Sequence, residues 1–188
     1  MINTPHDTLI QESQKWLEDV VIKHNFCPFA KRELLKNRIH FEVIPSQSIE
    51  ACLEAVILGC EYLDKHADIE TSLLILPNGF RDFDHYLDLL EYADRLLAAQ
   101  NYEGTYQIAS FHPDYCFDDT ASDDPVNYTN RSPYPILHLL REASIEKALK
   151  HVSNPEAIPE TNIKTAQRLG IDVLKKQLEE CYSTTLNH

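Results

Sequence analysis

Apolar positions recur along the chain at two periods, and each change of period marks a new element. Leu9, Ile10, Trp16, Leu17, Val20 and Val21 fall on one stripe at 3.6-residue spacing, which predicts an opening helix. Thr4 is placed to cap it, Pro5 suits its first turn, Asp7 complements its dipole and Asn25 ends it. Cys27-Pro28-Phe29-Ala30 reads as a second, short helix with Cys27 at the cap, running to about Asn37. From Ile39 to Ile44 the period falls to two: Ile39, Phe41 and Val43 alternate with His40 and Glu42, a strand closed by Pro45 and Ser46. Ile49, Cys52, Leu53, Val56, Ile57, Cys60 and Leu63 restore the helical stripe.

Leu73-Leu74-Ile75-Leu76 is a continuous apolar run before Pro77-Asn78-Gly79, the pattern of a strand buried on both faces at a sheet centre. A helix from Asp82 to about Gln100 follows, with Phe83, Tyr86, Leu87, Leu90 and Leu97 inward, and Thr105 to Phe111 is the third strand. His112 to Arg131 is a long loop, and loops of that length more often carry function than not. Ser132-Pro133 opens a helix through about Lys150. After Pro155 and Pro159, a last helix carries Ile163, Ala166, Val173, Leu174, Leu178 and Cys181 on one face.

Strands joined by helices of this length imply right-handed crossovers and parallel pairing. The expected fold is α/β: a small three-stranded parallel sheet covered by helices, with a ferredoxin-like α+β arrangement as the alternative. Residues 1–188 are expected to form one domain with a C-terminal helical segment from about residue 155.

Charge narrows the partners. Seventeen Lys and Arg against thirty Asp and Glu give a net charge of −13, so the basic face that nucleic-acid binding needs is not expected. No uncharged run exceeds the ten residues of Thr71–Phe80 or Gly104–Pro113, too short to span a bilayer. The opening residues Met1 to Asp7 lack the basic and apolar regions of a signal peptide. Five cysteines without a Cys-x-x-Cys pair suit a reducing cytoplasm better than a disulfide scaffold.

In a parallel sheet, ligands gather beyond the strand carboxyl ends. That geometry would bring together Cys27-Pro28, His112-Pro113-Asp114 and Asn130-Arg131-Ser132-Pro133. Cys27, at a helix amino terminus beside His112 and Arg131, is the candidate thiolate nucleophile, with His112 as its general base or orienter. The bland alternative is a small hydrophobe between Phe26 and Phe29. Arg131 and Asn130, with Ser132 capping the next helix, form a candidate anion site, to which Asp114, His138 and Arg141 are added as substrate-binding residues. Arg131 is equally suited to pinning the acidic loop around it.

His112, Asp114, His138 and Glu142 have metal-ligand chemistry, with His138 and Glu142 at i, i+4, but no His-Glu-x-x-His or EF-hand pattern accompanies them, and no resident metal is assigned. Phosphate-loop and dinucleotide fingerprints are absent, and the cofactor is left unknown.

Four segments carry a wider resemblance: Phe26-Cys27-Pro28-Phe29-Ala30; Gln107 to Tyr115; Asn127 to Pro135; and Leu137 to Glu142. Together with Pro155 to Pro159 and Gly170, they resemble an uncharacterised bacterial family of unknown function, over nearly the whole chain except both ends. The resemblance implies a bacterial soluble protein and brings no activity, cofactor or catalytic assignment.

The functional expectation is a cytoplasmic small-molecule enzyme of acyl- or amide-transfer type, acting through Cys27 on an anionic substrate. Two alternatives stand beside it: a non-catalytic binding module for an acidic metabolite, and a metal-dependent hydrolase. Oligomeric state is open, because apolar helical stripes serve a core or a partner equally.

Overall fold

The computed structural model describes residues 5–182, which form four strands and seven α-helices. Thr4, the expected first cap, lies outside the described residues. Helix α1 (Pro5–Trp16) passes directly into a π-helical stretch, Leu17–Ile22, and the chain leaves it at Asn25, where φ is 56°. Asparagine tolerates this left-handed backbone better than most residues, which is why it terminates here.

Helix α2 (Ala30–Leu35) is shorter than expected and is capped in position by Phe29, so Cys27 and Pro28 precede the helix rather than open it. Strand β1 (Ile39–Val43), helix α3 (Ile49–Lys65), strand β2 (Thr71–Ile75), helix α4 (Phe83–Ala99) and strand β3 (Tyr106–Phe111) follow as the hydrophobic pattern predicts. Ser48 caps α3 by accepting from the Ala51 N–H, and Asp82 caps α4 by accepting from the His85 N–H. The buried face of α4 is Tyr86, Leu89, Ala93 and Leu97, whereas Leu87, expected inside, is 40% exposed.

The main correction lies after the long loop. Residues Ile136–Arg141, expected within a helix, form a fourth strand, β4, and only Glu142–Leu149 is helical, as α5. Ile136-Leu137-His138-Leu139-Leu140 is an apolar run short enough to fit either element, and its place between two strands buries it on both faces. The last expected helix is two, α6 (Ile158–Leu169) and α7 (Ile171–Glu179), divided at Gly170 with φ 79°.

The sheet order is β1-β2-β4-β3. β1 and β2 pair in parallel, but β4 runs antiparallel to both β2 and β3, so the sheet is mixed and four-stranded rather than parallel and three-stranded. The order also departs from a ferredoxin-like sheet, since β1 and β2, joined by a helix, pair directly. β2 is fully buried, as its unbroken apolar run requires.

Alternation along the strands divides the core into two layers. Leu74, Leu76, Leu137 and Leu139 face α3 and α4. Leu73, Ile75 and Ile136 face Trp16, Leu17, Val20, Ala166 and Leu174 from α1, its π-helical extension, α6 and α7. At Gly59 of α3 a Cβ would stand 2.7 Å from Leu139 Cδ1, so a larger residue would force the Leu139 side chain to move in the packed core.

Candidate functional site

β1, β2 and β3 point the same way, so their carboxyl ends share one rim, and His112 lies there as expected. It is fully buried among Phe83 and Tyr86 of α4. Its Nε2 donates to the Phe80 carbonyl at 2.8 Å and its Nδ1 accepts from the Asp114 N–H at 3.0 Å. Both nitrogens are engaged, and burial lowers the imidazole pKa. His112 is a strut holding two loops together, on the sheet face opposite Cys27.

The Arg131 group is also structural in its contacts. Arg131 Nε donates to the Tyr115 carbonyl at 3.1 Å, Nη2 donates to the Ser122 carbonyl at 2.7 Å, and the guanidinium lies 4.6 Å from the Tyr128 ring centre. Asn130 donates to the Ser110 carbonyl at 3.2 Å. Ser132 is buried with its hydroxyl on the Tyr134 carbonyl and leads into β4, so it caps no helix, and the helix dipole expected to support an anion there is absent. Asp114 is exposed beside this loop.

Cys27 lies elsewhere. It lines a cavity of about 200 Å³ at the opposite end of the sheet, between α2, α5 and the amino ends of β1 and β2. His138 and Arg141, from β4, line the same cavity, whereas His112, Asp114, Asn130, Arg131 and Ser132 do not. The antiparallel β4 makes this possible, because its carboxyl end meets the amino ends of its neighbours.

The cavity has a polar floor, apolar walls and a charged mouth. On the floor, the Thr71 hydroxyl donates to the Leu139 carbonyl and lies 2.6 Å from His138 Nε2. A hydroxyl already donating can only accept from the ring, so Nε2 carries the imidazole hydrogen. Burial pushes the His138 pKa down to about 4. Burial likewise raises the Cys27 thiol, and the N–H groups of Phe29 and Ala30, directed at the sulfur, only partly offset it.

Leu17, Phe29, Leu73, Leu140 and Ile145 supply apolar wall. Around them stand Arg32, Arg38, Arg141 and Lys147 against Glu33 and Glu70. Arg141 is committed to structure: its guanidinium reaches the Leu63, His66 and Ile69 carbonyls and the Tyr106 hydroxyl, fastening the end of α3. Arg38 pairs with Glu70 and lies 3.2 Å from Glu33 Oε2, while Arg32 Nε sits 2.9 Å from Glu33 Oε1. Lys147 is exposed and has no ion pair among the described residues.

Sequence reasoning missed Thr71, Arg38, Glu33, Glu70 and Lys147. Reading Ile136–Leu140 as a strand would have found Thr71, because the β2–β4 register sets it on the face of His138. His138 and Glu142 no longer share a helix face, and among the described residues no group of three His, Cys, Asp or Glu is placed to hold a metal ion.

With this geometry in view, comparison with known families is decisive on kinship. A family described as a protein of unknown function, DUF1415, matches residues 8–176. The chain belongs to the DUF1415 family. No curated protein matches it, and no solved structure does. Among the described residues of this DUF1415 chain, no helix is long and apolar enough to cross a membrane.

Proposed function

We propose that this protein binds a small anionic molecule in the cavity between α2 and α5, its apolar body inside and its acidic group at the mouth. One observation carries the reading. A chain with thirty acidic and seventeen basic residues gathers four Lys and Arg against two Glu around one apolar cavity, reversing its overall balance. A concave site of one sign with low-dielectric walls focuses the field on a ligand of the other sign. Lys147, exposed and without an ion pair among the described residues, and Arg32, exposed and engaged by Glu33 through its Nε, are the cations nearest an incoming acid.

The test is titration of the full chain with short aliphatic carboxylates, aromatic carboxylates and phosphate monoesters, followed by amide chemical shifts and calorimetry. Shifts are expected at Ala30, Thr71, Leu140 and Ile145, with affinity falling about fivefold in Lys147→Ala and falling further with salt. Shifts clustered around Arg131 and Tyr115 instead, or affinities indifferent to Lys147 and Arg32, would refute the reading.

Thiol chemistry at Cys27 is the second reading, favoured by the Phe29 and Ala30 N–H groups aimed at its sulfur and by His138 in the same cavity. In it, Sγ attacks a substrate carbonyl carbon while its proton passes to His138 Nδ1 and then to the departing amine or alcohol. Magnitude places it second. With burial raising the thiol and pushing the imidazole down to about 4, moving that proton is strongly uphill with only protein groups around it. Release of the amine or alcohol from an ester or amide, abolished by Cys27→Ala, is the result that would promote it.

A further inference from the structure

Two hydrogen-bond acceptors in the cavity wall receive nothing from the protein. The first is His138 Nδ1. The Leu139 carbonyl fixes the Thr71 hydroxyl as a donor, the hydroxyl fixes Nε2–H, and Nδ1 is left with a lone pair. No described group donates to it, and His138 is one of the residues that line the cavity. The second is Glu33 Oε2, the one buried side-chain oxygen without a hydrogen bond among the described residues; it is closed off from the cavity and held by the Arg38 charge at 3.2 Å, so only the first faces a ligand's choice.

Size restricts what can answer the first. A dry cavity of about 150 Å³ admits benzene, so the roughly 200 Å³ here suits one ring inside, with a polar substituent reaching the mouth. Phe29, which lines the cavity, is the aromatic side chain against which such a ring packs, leaving the edge of His138 for a hydrogen bond.

Resting on the anion-binding reading above, we infer that the ligand is a single-ring aromatic acid bearing a hydroxyl whose hydrogen is donated to His138 Nδ1. The carboxylate lies toward Arg32 and Lys147, and the ring fills the apolar part. A buried acceptor built for a donor discriminates strongly, because an analogue without the hydrogen leaves the nitrogen dry and unpaired. Thr71 is then a positioning residue, holding the imidazole in the accepting tautomer.

The experiment titrates the full chain with phenylacetate, its three ring-hydroxylated isomers and the methyl ether of each. One hydroxy isomer is expected to bind about tenfold or more tightly than both its ether and the parent acid, with the advantage lost in His138→Phe and reduced in Thr71→Val. Equal binding of hydroxy, ether and parent compounds overturns this inference and leaves anion binding standing. Failure of all the phenylacetates while other carboxylates bind also overturns it alone; failure of every acid removes both. Nitrogen NMR of His138 in the ligand-free protein is an independent check: a hydrogen on Nδ1 overturns the inference whatever the variants do.

Discussion

The imidazole of His138 and the hydroxyl of Thr71 meet at 2.6 Å, diagonally across the β2–β4 pair. The contact orients one of the two imidazoles that line the cavity with Cys27, and it uses a hydroxyl that is itself tied to the backbone of β4. Thr71→Val keeps the side-chain shape and removes both bonds. It is expected to cost about 1–3 kcal/mol in urea unfolding, because Nε2–H is left buried without a partner. A loss near zero would mean the ring finds another acceptor.

Stability should depend on pH through His138. Burial lowers its pKa from 6.5 to about 4, so between those values the unfolded chain binds a proton that the folded chain does not. The contribution is complete above about pH 6.5 and is lost as pH falls toward 4. His138→Gln removes it. The stability difference between wild type and variant should therefore shift by roughly 2–3 kcal/mol against the wild type from about pH 7.5 to about pH 4.5. His112 and His40, also lowered by burial, act in both proteins and cancel. A difference independent of pH would contradict the buried, neutral imidazole.

Cys27 should alkylate slowly. Its burial outweighs the two N–H groups facing the sulfur, so little thiolate exists near neutral pH. Iodoacetamide labelling, mapped by peptide mass to separate Cys27 from half-buried Cys116, is expected to run about tenfold or more slower than a small free thiol. Rapid labelling at pH 7 would restore Cys27 as a nucleophile.

Helix α5 should open independently of the sheet. It has no buried residue, and a chain of bonds fastens it: Ser144 donates to Glu70, which also holds Arg38. Ser144→Ala is expected to speed hydrogen exchange in Glu142–Leu149 several-fold while lowering global stability by no more than about 1 kcal/mol. Unchanged exchange would mean that α5 is held by its apolar contacts alone.

Much of the scaffold was legible because its signals are local. Ile39, Phe41 and Val43 alternate, the Leu73–Leu76 run has no polar face, and Asp82 caps α4 where its sequence position suggested. Strand β4 was not legible. Its six residues lie between Ser132-Pro133 and Glu142-Ala143, both good helix openings, and only pairing with β2 and β3 decides the matter. Reading β4 as a helix hid the contact of His138 with Thr71, and Cys27, expected at the strand carboxyl ends, lies instead by the amino ends of β1 and β2. Cys27, His138 and Arg141 each stood out by chemistry, but their company depends on strand order, which spacing along the chain does not encode. His112 and Arg131 stood out too; both are hydrogen-bonded to loop carbonyls, and neither lines the cavity of Cys27.

β4 is the last strand in sequence and the third in space, inserted between β2 and β3. While the ribosome is still short of Arg141, β2 has only one neighbour and β3 has none in the sheet. The nascent chain must therefore carry two open, apolar ladders until a reversed segment arrives to close both at once, a late and long-range step that delays completion of the fold. Truncation before residue 136 would strip the interior rather than the margin of the sheet, leaving adhesive edges in place of a smaller working protein.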